Sequence, residues 1–453
     1  MVIAPIKPRR AQPVNPRGGR LTPDDDLFVR MEHAAQMPVL NQCVWRLTDF
    51  DESAFDALAQ RLSVGRLSRL VIRRRLPVRD RWRHTPTAGA WLFDDSPIEP
   101  EYAEQWARRQ CDIPLDSVSG PSWRLSAVRV VDSSDTYVSL VVSHVVGDGG
   151  AVMVGVEEAV THAPYDRHDS PVGPLDEVRD GINLLACAAR AGYTIVRTNN
   201  RVGADSGPPP AADRGAGEDR VARTDSTGAA PTAIVTIAAD AFDEAAQAVG
   251  GTANTLFTAL ALGLLQATGR VADGDDVPVS LPMSTRTPAD PRANATSGVG
   301  ARVVVSPDRY TDLRPIRAAS KAAFSNLASG PGPMALLGVL AQPLGDGLVR
   351  QLVANARAPL CLASNLGSLS THFASLGTAS AGPVAMRSIT TAPTDVLRRM
   401  NGGISGWASR SAGVVTLCFT SLDPDRVIND GMLHDLLAAE LSRWNLIGNR
   451  WGT

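Results

Sequence analysis

The chain predicts an α+β fold assembled from two like halves, and three observations carry that expectation. Strand-like and helix-like segments are mixed along the sequence without strict alternation, which favours mixed sheets over a doubly wound parallel sheet. Two segments open alike. Cys43-Val44-Trp45-Arg46-Leu47 reads as a strand followed by a helix over 53–62, and Ala233-Ile234-Val235-Thr236-Ile237 as a strand followed by a helix over 241–249. Between these openings, 203–230 sets Pro208-Pro209-Pro210 among Gly, Ala, Asp and Arg with almost no large apolar residue. Such a stretch buries too little surface to offset its ordering entropy, so it reads as a flexible linker joining halves at 21–202 and 231–453.

The elements follow in order. Residues 1–20 hold Lys7, Arg9, Arg10, Arg17 and Arg20 among prolines with no apolar core behind them, and read as a disordered arm rather than a signal peptide. The first helix has Asp51 as a cap and Phe55, Leu58 and Leu62 on one face. Over 70–84, Arg73, Arg74, Arg75, Arg79, Arg81 and Arg83 alternate with Ile72, Leu76, Val78 and Trp82. That pattern reads as a strand with one wet, basic face, leaving open an attraction to a phosphate-bearing ligand, an acidic protein or an anionic membrane. Strands over 123–131 and 137–143 and helices over 151–160 and 175–198 complete the first half. The second continues with a helix over 256–267, strands over 277–281 and 302–305, a helix over 312–328, a strand over 414–420 and a closing helix over 432–446.

Composition narrows the function classes. With 453 residues, 44% hydrophobic, 20% charged and a formal net charge of −2, the chain is ordinary for a globular protein and has no global pull toward nucleic acid or membrane. The five cysteines are far apart and form no CxxC pair, which fits free thiols in a reducing compartment, hence a cytoplasmic setting, and gives no metal site. The apolar run 256–267 is too short to span a bilayer.

The chemistry concentrates in Ser143-His144-Val145-Val146-Gly147-Asp148-Gly149-Gly150, directly after the β-forming run Tyr137-Val138-Ser139-Leu140-Val141-Val142. A strand this apolar is covered on both faces, so His144 stands at its buried end, and the glycines allow a sharp turn. A neutral imidazole there can take a proton from a hydroxyl or amine, because its intrinsic pKa lies near neutrality. A structural, hydrogen-bonded histidine satisfies the same pattern. A His144/Asp148 metal pair is disfavoured by the intervening glycines, and a phosphate cradle by the missing Lys-Ser/Thr.

The His-x-x-x-Asp-Gly signature after an apolar strand resembles the CoA-dependent acyltransferase superfamily. That group includes chloramphenicol acetyltransferase-like enzymes, nonribosomal peptide condensation domains and bacterial wax ester synthase/diacylglycerol acyltransferases, the last being the most similar branch. Further segments match in order. Leu21-Thr22-Pro23-Asp24-Asp25-Asp26-Leu27-Phe28-Val29-Arg30-Met31-Glu32 is similar to the family's opening, and Ile113-Pro114-Leu115-Asp116 with Pro121-Ser122-Trp123-Arg124-Leu125 to its strand before the motif. Val277 to Arg286 resembles its second-half strand, Ser364-Asn365-Leu366-Gly367 its late Ser-Asn loop, and Gly406 to Phe419 its closing hairpin.

The resemblance implies two chloramphenicol acetyltransferase-like halves forming a pseudo-dimer with a central tunnel. It implies His144 as general base, with Asp148 and Gly149 completing the catalytic motif. Asp148 is expected to be structural and to pair with a buried arginine, for which Arg286 is the candidate. Ser143, Asn254, Ser364, Asn365 and Gly367 are expected to line the tunnel, although each of the last four also reads as a cap or turn residue. The implied reaction moves an acyl group from an acyl-CoA thioester, as substrate rather than cofactor, to a hydroxyl or amine on a small-molecule or lipid acceptor. No cofactor or metal is expected, nor any nucleic-acid partner, while a weak peripheral membrane contact stays open. Two departures matter. Ser143 replaces the first of the family's two histidines, and Asn254-Thr255 replaces its Asn-Asp. They keep alive a non-catalytic binding protein on the same scaffold, beside the separate alternative of a condensation-like enzyme taking its acyl group from a carrier protein.

Overall fold

The structure, a computed structural model, describes residues 19–74, 77–165, 172–202, 230–287, 290–327, 338–353 and 357–452. Residues 1–18 of the expected arm and 203–229 of the expected linker lie outside the described residues. The first half contributes β1 (Val39–Thr48), β2 (Arg69–Ile72), β3 (Arg81–His84), β4 (Gly89–Ile98), β5 (Trp123–Val130) and β6 (Asp135–Ser143). Its helices are α1 (Pro23–His33), α2 (Glu52–Leu62), α3 (Ala103–Cys111), α4 (Gly149–Thr161) and α5 (Pro174–Val202). The second half adds β7 (Thr232–Ala238), β8 (Asp276–Ser284), β9 (Thr296–Val304), β10 (Cys361–Ser368), β11 (Val384–Thr390), β12 (Ile404–Ser411), β13 (Val414–Ser421) and β14 (Asn449–Arg450). With them come α6 (Ala239–Ala248), α7 (Ala253–Ala267), α8 (Arg314–Leu327) and a closing helix Asp430–Arg443.

The starts of these helices follow from local chemistry. Thr22 and Asp25 form a reciprocal capping box around Pro23 at the head of α1, Asp51 caps α2 through Ala54 N–H, and Thr252 caps α7 through Thr255 N–H. α7 is apolar nearly all round because it is the central helix of the second lobe, packed with Phe242, Val279, Ile404, Leu417 and Leu437.

Two sheets organise the molecule, one ordered β11-β1-β6-β5-β4 and the other β14-β7-β13-β12-β10-β8-β9. Within them a four-strand unit occurs twice. In the first lobe β1 is antiparallel to β6, β6 to β5, and β5 is parallel to β4. In the second, β7 is antiparallel to β13, β13 to β12, and β12 is parallel to β10. The duplication read from the repeated strand–helix opening is therefore present in topology, β1 leading into α2 and β7 into α6. The halves are nonetheless stitched together. β11 leaves the second sheet's sequence and pairs with β1 in the first, from Val39 opposite Thr390 to Trp45 opposite Val384, before the chain returns to β12. A shared cluster of Val44, Val128, Tyr137, Ala385, Ile234, Cys418 and Trp451 seals the two sheets.

The basic segment over 70–84 needs correction. It is a hairpin of two short strands, β2 and β3, in which most of the described arginines face carboxylates while Arg83 stays exposed. Arg73 bonds Asp80 and Asp346, Arg74 bonds Glu177 and Arg79 bonds Asp180, all at 2.6–2.8 Å. Asp80 within the segment and carboxylates from distant elements take up most of the charge. No single helix among the described residues is long and apolar enough to cross a membrane. The five cysteines are free, four of them buried and Cys187 exposed.

Candidate active site

β6 delivers the motif. Its last residue pairs with Leu40 of β1, and His144 N–H then donates to Val39 C=O at 2.9 Å, so the strand ends with the histidine at the sheet margin. The turn that follows is held from several sides. Asn41 Nδ2 donates to Gly147 C=O at 2.7 Å, Arg69 Nη2 to Val146 C=O at 2.8 Å, and Asp148 N–H to Ala293 C=O at 3.1 Å.

Asp148 is the structural hinge of the site. Its Oδ1 accepts from Ala151 N–H at 2.7 Å, capping α4, and from Arg286 Nη2 at 2.8 Å. Its Oδ2 accepts from Ala295 N–H at 2.7 Å and Thr296 Oγ1 at 2.9 Å. Burial alone would raise this carboxyl; the Arg286 charge and the Ala295 and Ala151 N–H groups outweigh it and hold the pKa below its ordinary value. Arg286 also donates to the carbonyls of Asp290, Arg292 and Ala293. A Cβ on Gly150 would stand 3.2 Å from Arg286 Nε and 3.4 Å from Asp148 Oδ1, so glycine there leaves space for the pair. The expected Asp148–Arg286 pair is thus formed, and it joins the two lobes.

The state of His144 follows from its neighbours. Nδ1 lies 3.0 Å from Asn294 Oδ1. The Asn294 amide nitrogen faces three acceptors, Asp25 Oδ1 at 3.1 Å, His144 C=O at 3.1 Å and Val145 C=O at 3.3 Å. Flipping the amide would aim its carbonyl at all three, so Oδ1 must point at the ring and accept from it. Nδ1 therefore carries the proton and Nε2 carries a lone pair. Among the described residues Nε2 has no hydrogen-bond partner, and the residue is only half-buried. Phe28 stacks on the ring at 3.7 Å between centroids and 16° between planes. Burial lowers the imidazole pKa below 6.5, outweighing the Asp148 charge and the Asn294 hydrogen bond that raise it. The group is an oriented imidazole whose charged form is disfavoured.

The other expected site residues divide. Gly149 heads α4 and faces β10, since a Cβ there would stand 3.5 Å from Leu366 Cδ2. Asn365 and Gly367 line a cavity with Phe242, Ala253, Phe257 and Arg410, on the side of β10 toward α6 and α7. Asn365 Oδ1 also accepts from Gly367 N–H at 2.9 Å, closing a turn in which Gly367 takes a φ of +75°. Ser364 is buried within β10 opposite Trp407. Asn254 lies in the first turn of α7 beside Ala253, and its C=O accepts from Thr258 Oγ1 at 2.9 Å. Ser143 is a correction. It is fully buried, its hydroxyl donates to Glu32 Oε2 at 2.8 Å and accepts from Val145 N–H at 3.3 Å, and it lines no channel. Glu32 locks this side chain where an inward-facing polar group would otherwise be unsatisfied.

Phe28, Asp25 and Asn294 were not singled out from the sequence, although the first two lie in the opening Leu21–Glu32 segment. An i, i+3 pair on a capped helix places them on neighbouring faces. Asn294 carried no local signal.

No family model matches the sequence, and no curated protein matches it. Solved structures do. The first condensation domain of the calcium-dependent antibiotic synthetase, in complex with a substrate analogue, aligns at a TM-score of 0.57 and 16% identity over 94% of this chain and 95% of its own. The wax ester synthase/diacylglycerol acyltransferase from Marinobacter aquaeolei VT8 aligns at 0.56 and 13% identity, over 94% and 98%. The starter condensation domain of rhizomide synthetase in complex with C8-CoA aligns at 0.52 and 12% identity, over 95% and 94%. The chain therefore shares the fold of these condensation domains and of the wax ester synthase.

Proposed function

We propose that this protein is an acyltransferase that moves an acyl group from an acyl-CoA thioester to a hydroxyl or amine, with His144 Nε2 as general base. The observation that carries the reading is the tautomer: Asn294 holds the proton on Nδ1 and leaves Nε2 unpartnered and basic. In the first step Nε2 takes the acceptor's proton as its oxygen or nitrogen attacks the thioester carbonyl carbon. The tetrahedral intermediate then breaks its C–S bond, and the imidazolium returns the proton to the departing thiolate. Asp148 and Arg286 hold the turn that carries the histidine and do not touch the reacting atoms. A general base of lowered pKa is already unprotonated at neutral pH, which suits it to this step. A cytoplasmic setting would supply the thioester. The likeness to condensation domains and a wax ester synthase supports acyl transfer as the class.

The test is product mass spectrometry after incubating the protein with a panel of acyl-CoAs and an extract of acceptors, beside His144→Ala. Acylated product from the wild type and none from the variant, at equal thermal midpoints, is the expected result. Equal product from both would sink the role of His144. Product only from carrier-protein thioesters would replace CoA as the donor.

A further inference from the structure

α5 has two faces that do different work. One is seated on its own lobe: Leu184 and Ala191 are buried, Glu177 bonds Arg20 and Arg74, and Asp180 bonds Arg79. The other face is apolar and open. Leu175 is 84% exposed, Val178 61%, Ile182 65%, Leu185 52% and Tyr193 67%, with exposed Ala189 between the last two. Their spacing of 3, 4, 3, 4 and 4 residues confines them to an arc of about 80° along about 27 Å of helix, the narrow seam that pairs with another helix rather than the broad face that lies in a lipid surface.

We propose that this seam is a dimer interface, in which α5 of one copy packs antiparallel against α5 of a second copy of this chain. Two features select that partner. First, the seam is self-complementary about a point between Ile182 and Leu185. A twofold axis there sets Ile182 against Leu185 of the other copy and Val178 against Ala189, and brings Tyr193 within one residue of Leu175. Second, the area suffices. Five large side chains at these exposures present on the order of 600 Å² of apolar surface per helix, a patch size that marks interfaces, and pairing two of them reaches the lower end of specific association at about 1,200 Å². An anionic membrane is disfavoured as the occupant: between Leu175 and Tyr193 the acidic Asp176, Glu177 and Asp180 balance Arg179 and Arg190. The inference does not depend on the reaction assigned to His144.

Sedimentation of the full chain at tens of micromolar should give a dimer. Ile182→Glu and Leu185→Lys should each give a monomer, with dissociation at least 30-fold easier, and unchanged circular dichroism because both side chains are exposed. Mixing the two variants should restore a dimer, since the antiparallel register sets the carboxylate of Ile182→Glu against the ammonium of Leu185→Lys. Ile447→Glu, at a still more exposed apolar residue elsewhere, should leave the dimer intact. A monomeric wild type overturns the proposal, as does a dimer that survives both variants or a mixture that stays monomeric. Binding of a monomeric wild type to phosphatidylcholine/phosphatidylglycerol vesicles, lost in Ile182→Glu, would assign the seam to a membrane instead.

Discussion

The two lobes build the same strand end twice and arm only one of them. In the first lobe, Leu40 pairs with Ser143, and the next residue, His144, donates its N–H to Val39 C=O. In the second, Thr232 pairs with Thr420, and the next residue, Ser421, donates its N–H to Pro231 C=O at 3.0 Å. Ser421 thus occupies the place of His144 in the repeated unit. The surroundings differ completely. Ser421 is fully buried and its Oγ accepts from Asp423 N–H at 3.3 Å, a short-range turn with nothing left over. His144 keeps one nitrogen free because Asn294, from the opposite lobe, takes the other. The following helix starts at once in the first lobe, capped by Asp148. In the second it waits until Asn429, whose side chain accepts from Met432 N–H at 2.8 Å. A duplicated scaffold supplies the position; what the other lobe sends to it sets His144 apart from Ser421.

The largest expected effect tests that asymmetry directly. His144→Ala should lower the acyl-transfer rate by about 10²–10⁴-fold, the usual worth of a positioned general base, while Ser421→Ala should change it less than twofold. Comparable losses in both would break the comparison. Next comes the interlobe pair. Arg286→Met leaves the Asp148 carboxylate buried without its cation, and should cost about 3–5 kcal/mol in urea unfolding. Asn429→Ala removes only a cap from the matching helix and should cost about 1 kcal/mol. Similar costs at the two helix starts would show that Asp148 is a cap and nothing more. Asn294→Leu should then slow turnover by roughly 10–100-fold, as loss of a group that orients a reacting residue does, with KM little changed. Its signature is the imidazole ¹⁵N spectrum, which should lose its single Nδ1–H form; an unchanged spectrum would remove Asn294 from the mechanism.

What the sequence makes legible is local. The β6 strand, the glycine turn and the start of α4 follow from residues within twenty positions of one another, and the repeated strand–helix openings announce the duplication. Arg286 is reachable only through the family resemblance, which pairs a second-half arginine with Asp148. Phe28 and Asn294 lie 116 and 150 residues from His144, and nothing in their immediate sequence marks them. The basic run over 70–84 misleads for the same reason: Asp180 and Asp346, which neutralise Arg79 and Arg73, come from helices far along the chain. Ser143 is misassigned because an unseen Glu32 holds it. β11 escapes notice because its partner, β1, belongs to the other lobe.

The smallest effect sharpens the comparison through pH. His144 has a pKa below 6.5 in the folded protein, so the fold disfavours its charged form. Between the folded value and 6.5 the unfolded chain binds more protons, and stability therefore rises with pH across that window and is flat above it. Asp148 acts lower down. Its folded pKa lies below 3.8, so the stability it contributes is fully present above 3.8 and is lost as pH falls through the folded value. Ser421 does not titrate, so the matching corner of the second lobe adds no such dependence. Urea unfolding of the wild type at pH 5 and pH 7 should show the His144 contribution, and His144→Ala should remove it. The acyl-transfer rate should rise with pH along a limb whose midpoint also lies below 6.5, since only the neutral ring can take the proton. A limb centred above 6.5 would mean that the ring is held as a cation, and the lone pair assigned to Nε2 would be lost with it.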